Sequence, residues 1–276
     1  MTDNPYRPPA SDVTPQAGGP TALLDPPRRN GIGAGWRWIA DGFRYFGRAP
    51  LIWIIIMLIF FAIMVVLSMI PIVSLLANLL SPVFMGGILL GCRALDQGRP
   101  LQVGHLFEGF RRNTGSLAAV GALYLLGSIA ILLLGGVIMM LTGGGDLFAF
   151  MQAGQPGAMP DEAMAGMATG VLLAALVVLA LYVPLLMALW FAPALVVFHD
   201  LGAVAAMKTS LAGCWRNVLP FLLYGLVGLV LIVLGAIPFG LGLLVVMPAL
   251  LASVYVAYKD IFLGEDAPAD TSGLAA

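Results

Sequence analysis

Few side chains in this chain are of a type that does chemistry, and their spacing limits what they can do. Cys92, His105, His199 and Cys214 are metal-ligand types. No two of them share the short separations from which zinc sites are built, so structural roles are expected and no metal site is assigned. Met151, Met159, Met164 and Met167 offer thioethers of the kind that bind Cu(I). Only Met164 and Met167 sit close in register, and methionine is a common apolar filler, so that set reads as packing. Gly31-Ile-Gly33-Ala-Gly35 has neither the preceding strand nor the following Lys-Ser/Thr of a phosphate loop. An HExxH motif, a Ser-His-Asp set and a pair of carboxylates are all missing from the apolar stretches, leaving Asp96, His199 and Asp200 as the material for an active site. The sequence assigns no catalytic residue and no cofactor, and the expectation is a protein that is not an enzyme.

A basic phrase is the other candidate. Residues 109–113 read GFRRN, residues 213–217 read GCWRN, and a looser copy, GFRYF, occupies 42–46. Each precedes a long apolar run. Positive charge at the mouth of a membrane span is demanded by topology alone. The sharper expectation is that Arg44, Arg48, Arg111, Arg112 and Arg216 converge beneath a helical bundle and hold anionic lipid headgroups.

The elements that must position these residues follow from composition. Of 276 residues, 61% are apolar and 10% charged, with a mean hydropathy of +1.00. Ordinary soluble domains are about one quarter charged. Leu51 to Cys92 is a run of 42 residues without a charge. As one helix it would be about 63 Å long, twice the ~30 Å hydrocarbon thickness, so it must fold back near Ile70-Pro71. The same reasoning along the chain predicts six spans, at about 51–70, 72–92, 117–141, 169–198, 218–236 and 239–258. Pro184 and Pro193 are expected to kink the overlong fourth span.

Flanking these spans, residues 1–30 contain seven prolines and too little apolar surface to fold, and read as a disordered cytoplasmic tail. No apolar segment of signal-peptide type follows the first residue. The segment 31–262 is the transmembrane domain, and 263–276 is a short acidic tail.

Charge placement gives the orientation. All 13 lysines and arginines fall in the N-terminal segment, in the loops after spans two and four, or after span six. The three remaining loops carry none. A bundle with both termini in the cytoplasm places every positive charge inside. Cys92 and Cys214 then lie at the cytoplasmic end, where thiols stay reduced.

Periodicity adds a second layer. In residues 36–48, Trp36, Ile39, Phe43 and Phe46 fall on one helical face and Arg37, Asp41, Arg44 and Arg48 on the other. Residues 102–113 repeat the pattern, and residues 203–217 repeat it more weakly. The fold class predicted is an all-α, polytopic bundle of six helices, built from three repeats of an interfacial amphipathic helix plus a transmembrane hairpin. Within the spans no ionisable residue appears, and Asn78 is expected to hydrogen-bond between helices.

Several stretches also resemble a known family. Asn4-Pro5-Tyr6-x-Pro8-Pro9, Gly35-Trp36-x-Trp38-Ile39 and HDLGAVAAMKTSLAGCWRNVLPFLLYGL (199–226) are similar to an uncharacterised family of proteobacterial six-helix inner-membrane proteins with an NPYxPP opening. The resemblance implies a bacterial inner membrane and an all-helical fold, and brings no catalytic residue with it. The function expected is that of an accessory or scaffold protein binding anionic phospholipid or a protein partner at the cytoplasmic face, with no role in nucleic-acid binding. The alternative is a small-solute permease.

Overall fold

The computed structural model describes residues 22–69, 71–144 and 161–264, all in helices and their connections. The Asn4–Pro9 motif, most of the loop after the third span and the last twelve residues lie outside the described residues. Helix α1 is Ala34–Arg48, α2 Pro50–Ser68 and α3 Pro71–Asp96. A short 3-10 segment, Val103–Phe110, leads to α4, Thr114–Met139. Then come α5 (Asp161–Trp190), α6 (Ala192–His199), α7 (Ala203–Arg216), α8 (Val218–Ala236) and α9 (Leu243–Tyr258), which ends in a π-turn, Lys259–Leu263.

Among the described residues, six helical stretches are long and apolar enough to cross a membrane: Pro50–Ser68, Ala77–Asp96, Thr114–Thr142, Met164–His199, Val218–Ala236 and Leu243–Leu263. Prolines mark several of the boundaries. Pro50 opens α2, where its missing N–H costs nothing, and Pro71 begins α3. The fourth stretch begins earlier than its uncharged core suggests, because Asp161 to Ala168 is rich in good helix formers. The sixth begins later, because Phe239 and Gly240 adopt left-handed backbone, with φ of 52° and 79°.

Burial divides the spans into two classes. The second and sixth are 67% and 72% buried, whereas the other four are 11–22% buried. Spans two and six are therefore the axis of the bundle, and the outer four present exposed apolar faces of the kind that hydrocarbon covers.

Span four is broken at Trp190–Phe191, with Pro193 in the first turn of α6. A break inside a bilayer must re-satisfy its backbone. Ser210 of α7 does so: its hydroxyl accepts from the Phe191 N–H at 2.9 Å and donates to the Met187 carbonyl at 2.7 Å. Ser210 is fully buried.

The three amphipathic segments differ from the expectation. Helix α1 is built into the bundle rather than lying flat at its edge. It turns Trp38, Ile39, Asp41, Gly42 and Tyr45 inward and leaves Trp36 56% exposed. The buried face is chosen by partners and close approach, since Trp38 and Tyr45 find acceptors there and Gly42 abuts α9. A Cβ on Gly42 would collide with the Ala249 carbonyl oxygen. The second segment is a 3-10 turn, closed by reciprocal bonds between Gln102 and His105. The third, α7, buries the small residues Ala206, Ser210, Gly213 and Cys214. These three segments thus share a position in the chain but differ in local structure.

Residues 22–30, assigned from composition to a disordered tail, are hydrogen-bonded to the body. Leu24 N–H donates to the Phe262 carbonyl and Arg28 N–H to the Ile261 carbonyl, both at 2.8 Å. Composition missed this because the partners lie over 200 residues away.

Candidate functional site

Polar side chains gather at one face of the bundle. The N-terminal segment, the connections after spans two and four, and the end of span six all meet there, through the contacts described below. Every lysine and arginine among the described residues belongs to these four segments. The shared face agrees with the up-and-down parity that the charge asymmetry requires.

The first knot joins α1, α3 and the end of α9. Lys259 Nζ donates to Asp96 Oδ2 at 2.6 Å and to the Tyr45 hydroxyl at 3.1 Å. Tyr45 in turn donates to Asp96 Oδ1. Arg48 Nη1 stands 3.6 Å from the same oxygen, its guanidinium over the Tyr45 ring. The Lys259 ammonium also faces the Tyr255 ring at 5.2 Å. Burial first, and the Asp96 bond second, push the Tyr45 hydroxyl well above the ordinary tyrosine range, so it stays a donor. With side-chain exposures of 9% and 21%, Lys259 and Asp96 form a shielded ion pair whose partners are all intramolecular. Such a knot clamps three helices and leaves little for a substrate.

The second knot is centred on Asp260, 5% exposed. Its Oδ2 accepts from the Trp38 indole at 2.8 Å, and Arg28 and Arg37 stand 3.5 and 3.9 Å away. Beside it, fully buried Asn217 holds the N-terminal segment. Its amide donates to the Arg28 and Gly213 carbonyls, both at 2.9 Å, and its oxygen accepts from the Asn30 N–H at 2.8 Å.

A third set joins the start of span three to the end of span four. Asn113 donates to Asp200 at 2.7 Å and to the Val196 carbonyl at 3.1 Å. Nearby, His199 Nε2 is 2.5 Å from the Tyr258 hydroxyl, and the Arg93 guanidinium lies over the Phe198 ring. Asn113 and Asp200 both have left-handed backbone, which short polar side chains tolerate.

The predicted arginines divide into two groups. Arg44 pairs with Asp41 at 2.7 Å and Arg48 with Asp96, each exposed on its outer side. Arg111, Arg112 and Arg216 are exposed, and no side-chain partner is found for them among the described residues. Arg111 and Arg112 are neighbours after the 3-10 segment, whereas Arg216 ends α7. The other letters of the phrase carry the packing. Its glycines, Gly42, Gly109 and Gly213, all stand where a Cβ would strike a neighbouring helix or ring. Its asparagines, Asn113 and Asn217, make the bonds. Asp96 stands out in the sequence as a possible active-site residue and here serves a structural ion pair with Lys259, whereas the role of Tyr45 has no sequence signal.

Among the described residues, no group of three or more histidines, cysteines or acidic residues is arranged to hold a metal ion. Cys92 and Cys214 are free and buried. Burial pushes the Cys214 thiol up to about 12.

Comparison with known proteins fits this picture of a membrane bundle. No family model matches the chain, and no solved structure does. A probable inner membrane protein of Burkholderia thailandensis is 33% identical over 226 residues, covering 80% of each chain. That length takes the likeness well beyond any single span, and the six apolar helices supply what such a protein requires. The chain therefore belongs to the family of this probable inner membrane protein.

Proposed function

We propose that the protein is a non-enzymatic accessory component of the bacterial inner membrane that binds anionic phospholipid headgroups at its cytoplasmic face. One observation carries the reading. On the shared polar face, Arg28, Arg37, Arg44, Arg48 and Lys259 are engaged by Asp260, Asp41 and Asp96. Arg111, Arg112, Lys208 and Arg216 are exposed on the same face without acidic partners among the described residues. Exposed cations beside an anionic leaflet contribute about 1 kcal/mol each. Both termini lie in the cytoplasm on this reading, by the rule that basic loops stay inside.

A permease is less well supported. Broken span four resembles the discontinuous helices of transporters. Here, however, Ser210 bonds the N–H and carbonyl freed at the break, so these groups are not left to hold a solute.

Electron spin resonance of spin-labelled lipids around the reconstituted protein tests the proposal. Spin-labelled phosphatidylglycerol should associate more strongly than phosphatidylcholine, and the preference should fall with salt as exposed charges are screened over ~8–10 Å. Equal association of the two lipids at low salt would sink it.

A further inference from the structure

A cavity of about 550 Å³ lies between α8 and the facing walls of α3, α5, α6 and α9. Its lining is almost wholly apolar. The Tyr224 hydroxyl in its wall is already bonded to Ser253 at 2.8 Å and the Leu250 carbonyl at 3.3 Å. Tyr224 and Ile232 bound its length along α8, seven and fifteen residues beyond Asn217. At ~1.5 Å per residue they lie about 10 and 23 Å from the polar face, inside a ~30 Å hydrocarbon layer.

The glycines in its wall differ from those at the helix contacts. At Gly35, Gly42, Gly109 and Gly121 a Cβ would strike backbone, so glycine there permits helices to touch. Glycines within membrane spans, such as Gly225 and Gly228, commonly serve the same purpose. A Cβ at Gly225 would meet nothing within 4 Å, and one at Gly228 only Leu250 at 3.8 Å. Glycine inside a helix costs about 1 kcal/mol relative to alanine. Here that cost brings no helix contact, and the effect of both residues is to leave space.

We propose that this cleft holds one hydrocarbon chain of a membrane phospholipid, admitted from the side. The cleft is continuous with the lipid-facing surface, because Leu229 and Met247 line it while remaining 59% and 43% exposed. Its length decides between a lipid chain and a partner helix. The cleft runs from Tyr224 to Ile232, about 12 Å along α8. A partner helix crossing the membrane would need a groove along most of the ~30 Å hydrocarbon layer, whereas a short apolar cleft open to the lipid suits part of one flexible chain. Filling the space restores dispersion contacts that an empty apolar void lacks. The site selects for the chain and not the headgroup, so it stands apart from the arginines of the basic face.

The test uses the full chain in vesicles of phosphatidylethanolamine and phosphatidylglycerol. These are doped with a phosphatidylcholine carrying a diazirine midway along one acyl chain, and labelled peptides are mapped after irradiation. Residues 224–232 should label several-fold more heavily than the lipid-exposed Leu132–Leu133 face of α4, and Gly225→Leu with Gly228→Leu should reduce that label about tenfold with α4 unchanged. Equal labelling of the two faces in the wild type overturns the proposal, as does full labelling of a folded, filled variant. If the double variant fails to assemble, the wild-type ratio decides alone. Because the probe is zwitterionic, a variant with Arg111, Arg112 and Arg216 changed to Gln should keep the cleft label, which separates this outcome from that of the headgroup reading.

Discussion

Asp96 accepts from Lys259 and Tyr45 and faces Arg48, so truncating one partner strands charge in a poorly solvated place. Lys259→Met should lower stability by about 3 kcal/mol, and Asp96→Leu with Lys259→Met should be less harmful than either change alone, as a shielded pair predicts. Thermal unfolding in detergent measures both. If the double change costs the sum of the singles, the pair is not a coupled unit. Cys214 offers a pH test. Its thiol is raised from 9.0 to about 12 by burial, so the folded state holds its proton more tightly. Its contribution to stability is full below the unfolded pKa near 9 and is lost as pH rises toward 12. At pH 8 a maleimide should leave Cys92 and Cys214 unmodified until the protein is unfolded, and rapid labelling of the native protein would contradict the observed burial. The sequence made the arginines of GFRRN and GCWRN conspicuous because charge is rare in this chain. The contacts of Asn113, Asn217, Gly109 and Gly213 were not legible, because they depend on which distant backbone each residue meets.

At the level of elements, α1 and the broken fourth span are the informative cases. Apolar and charged residues alternate along α1 with helical period, so a helix at 36–48 was readable. Its orientation was not, since both faces carry aromatic residues and only the Trp38–Asp260 and Tyr45–Asp96 bonds select between them. Gly42→Ala should therefore destabilise by about 1–3 kcal/mol through collision with α9, whereas Gly47→Ala, with nothing within 4 Å, should be neutral or stabilising by up to about 1 kcal/mol. Equal effects in the same unfolding assay would mean that α1 is not packed as described. Ser210→Ala should leave the Phe191 N–H unpaired and the Met187 carbonyl with only the weak Cys214 thiol donor at 3.5 Å, at a cost of about 1–3 kcal/mol. Pro184 and Pro193 announced an irregular fourth span, but the serine that satisfies the break lies on another helix and had no local signal.

For the whole molecule, the six apolar stretches were plain in the sequence because length and absence of charge are sufficient evidence of a span. Which spans form the axis was partly legible, since the second and sixth are markedly less apolar than the other four. The knots tie the basic segments to one face, and the proposal that this face is cytoplasmic has a direct test. Single cysteines introduced at Arg29 and Arg112 should react with an impermeant reagent only in inside-out vesicles, and reaction from the periplasmic side would reverse the topology. The central claim is that the unpartnered cations of this face hold anionic lipid. Native mass spectrometry of the detergent-purified protein, beside a variant with Arg111, Arg112 and Arg216 changed to Gln, tests it most directly. Retention of phosphatidylglycerol or cardiolipin by the wild type, with a loss of about tenfold or more in the variant, is the predicted result. Equal retention by both proteins, or by neither, would contradict it and leave the repeated phrase as a determinant of packing and topology alone.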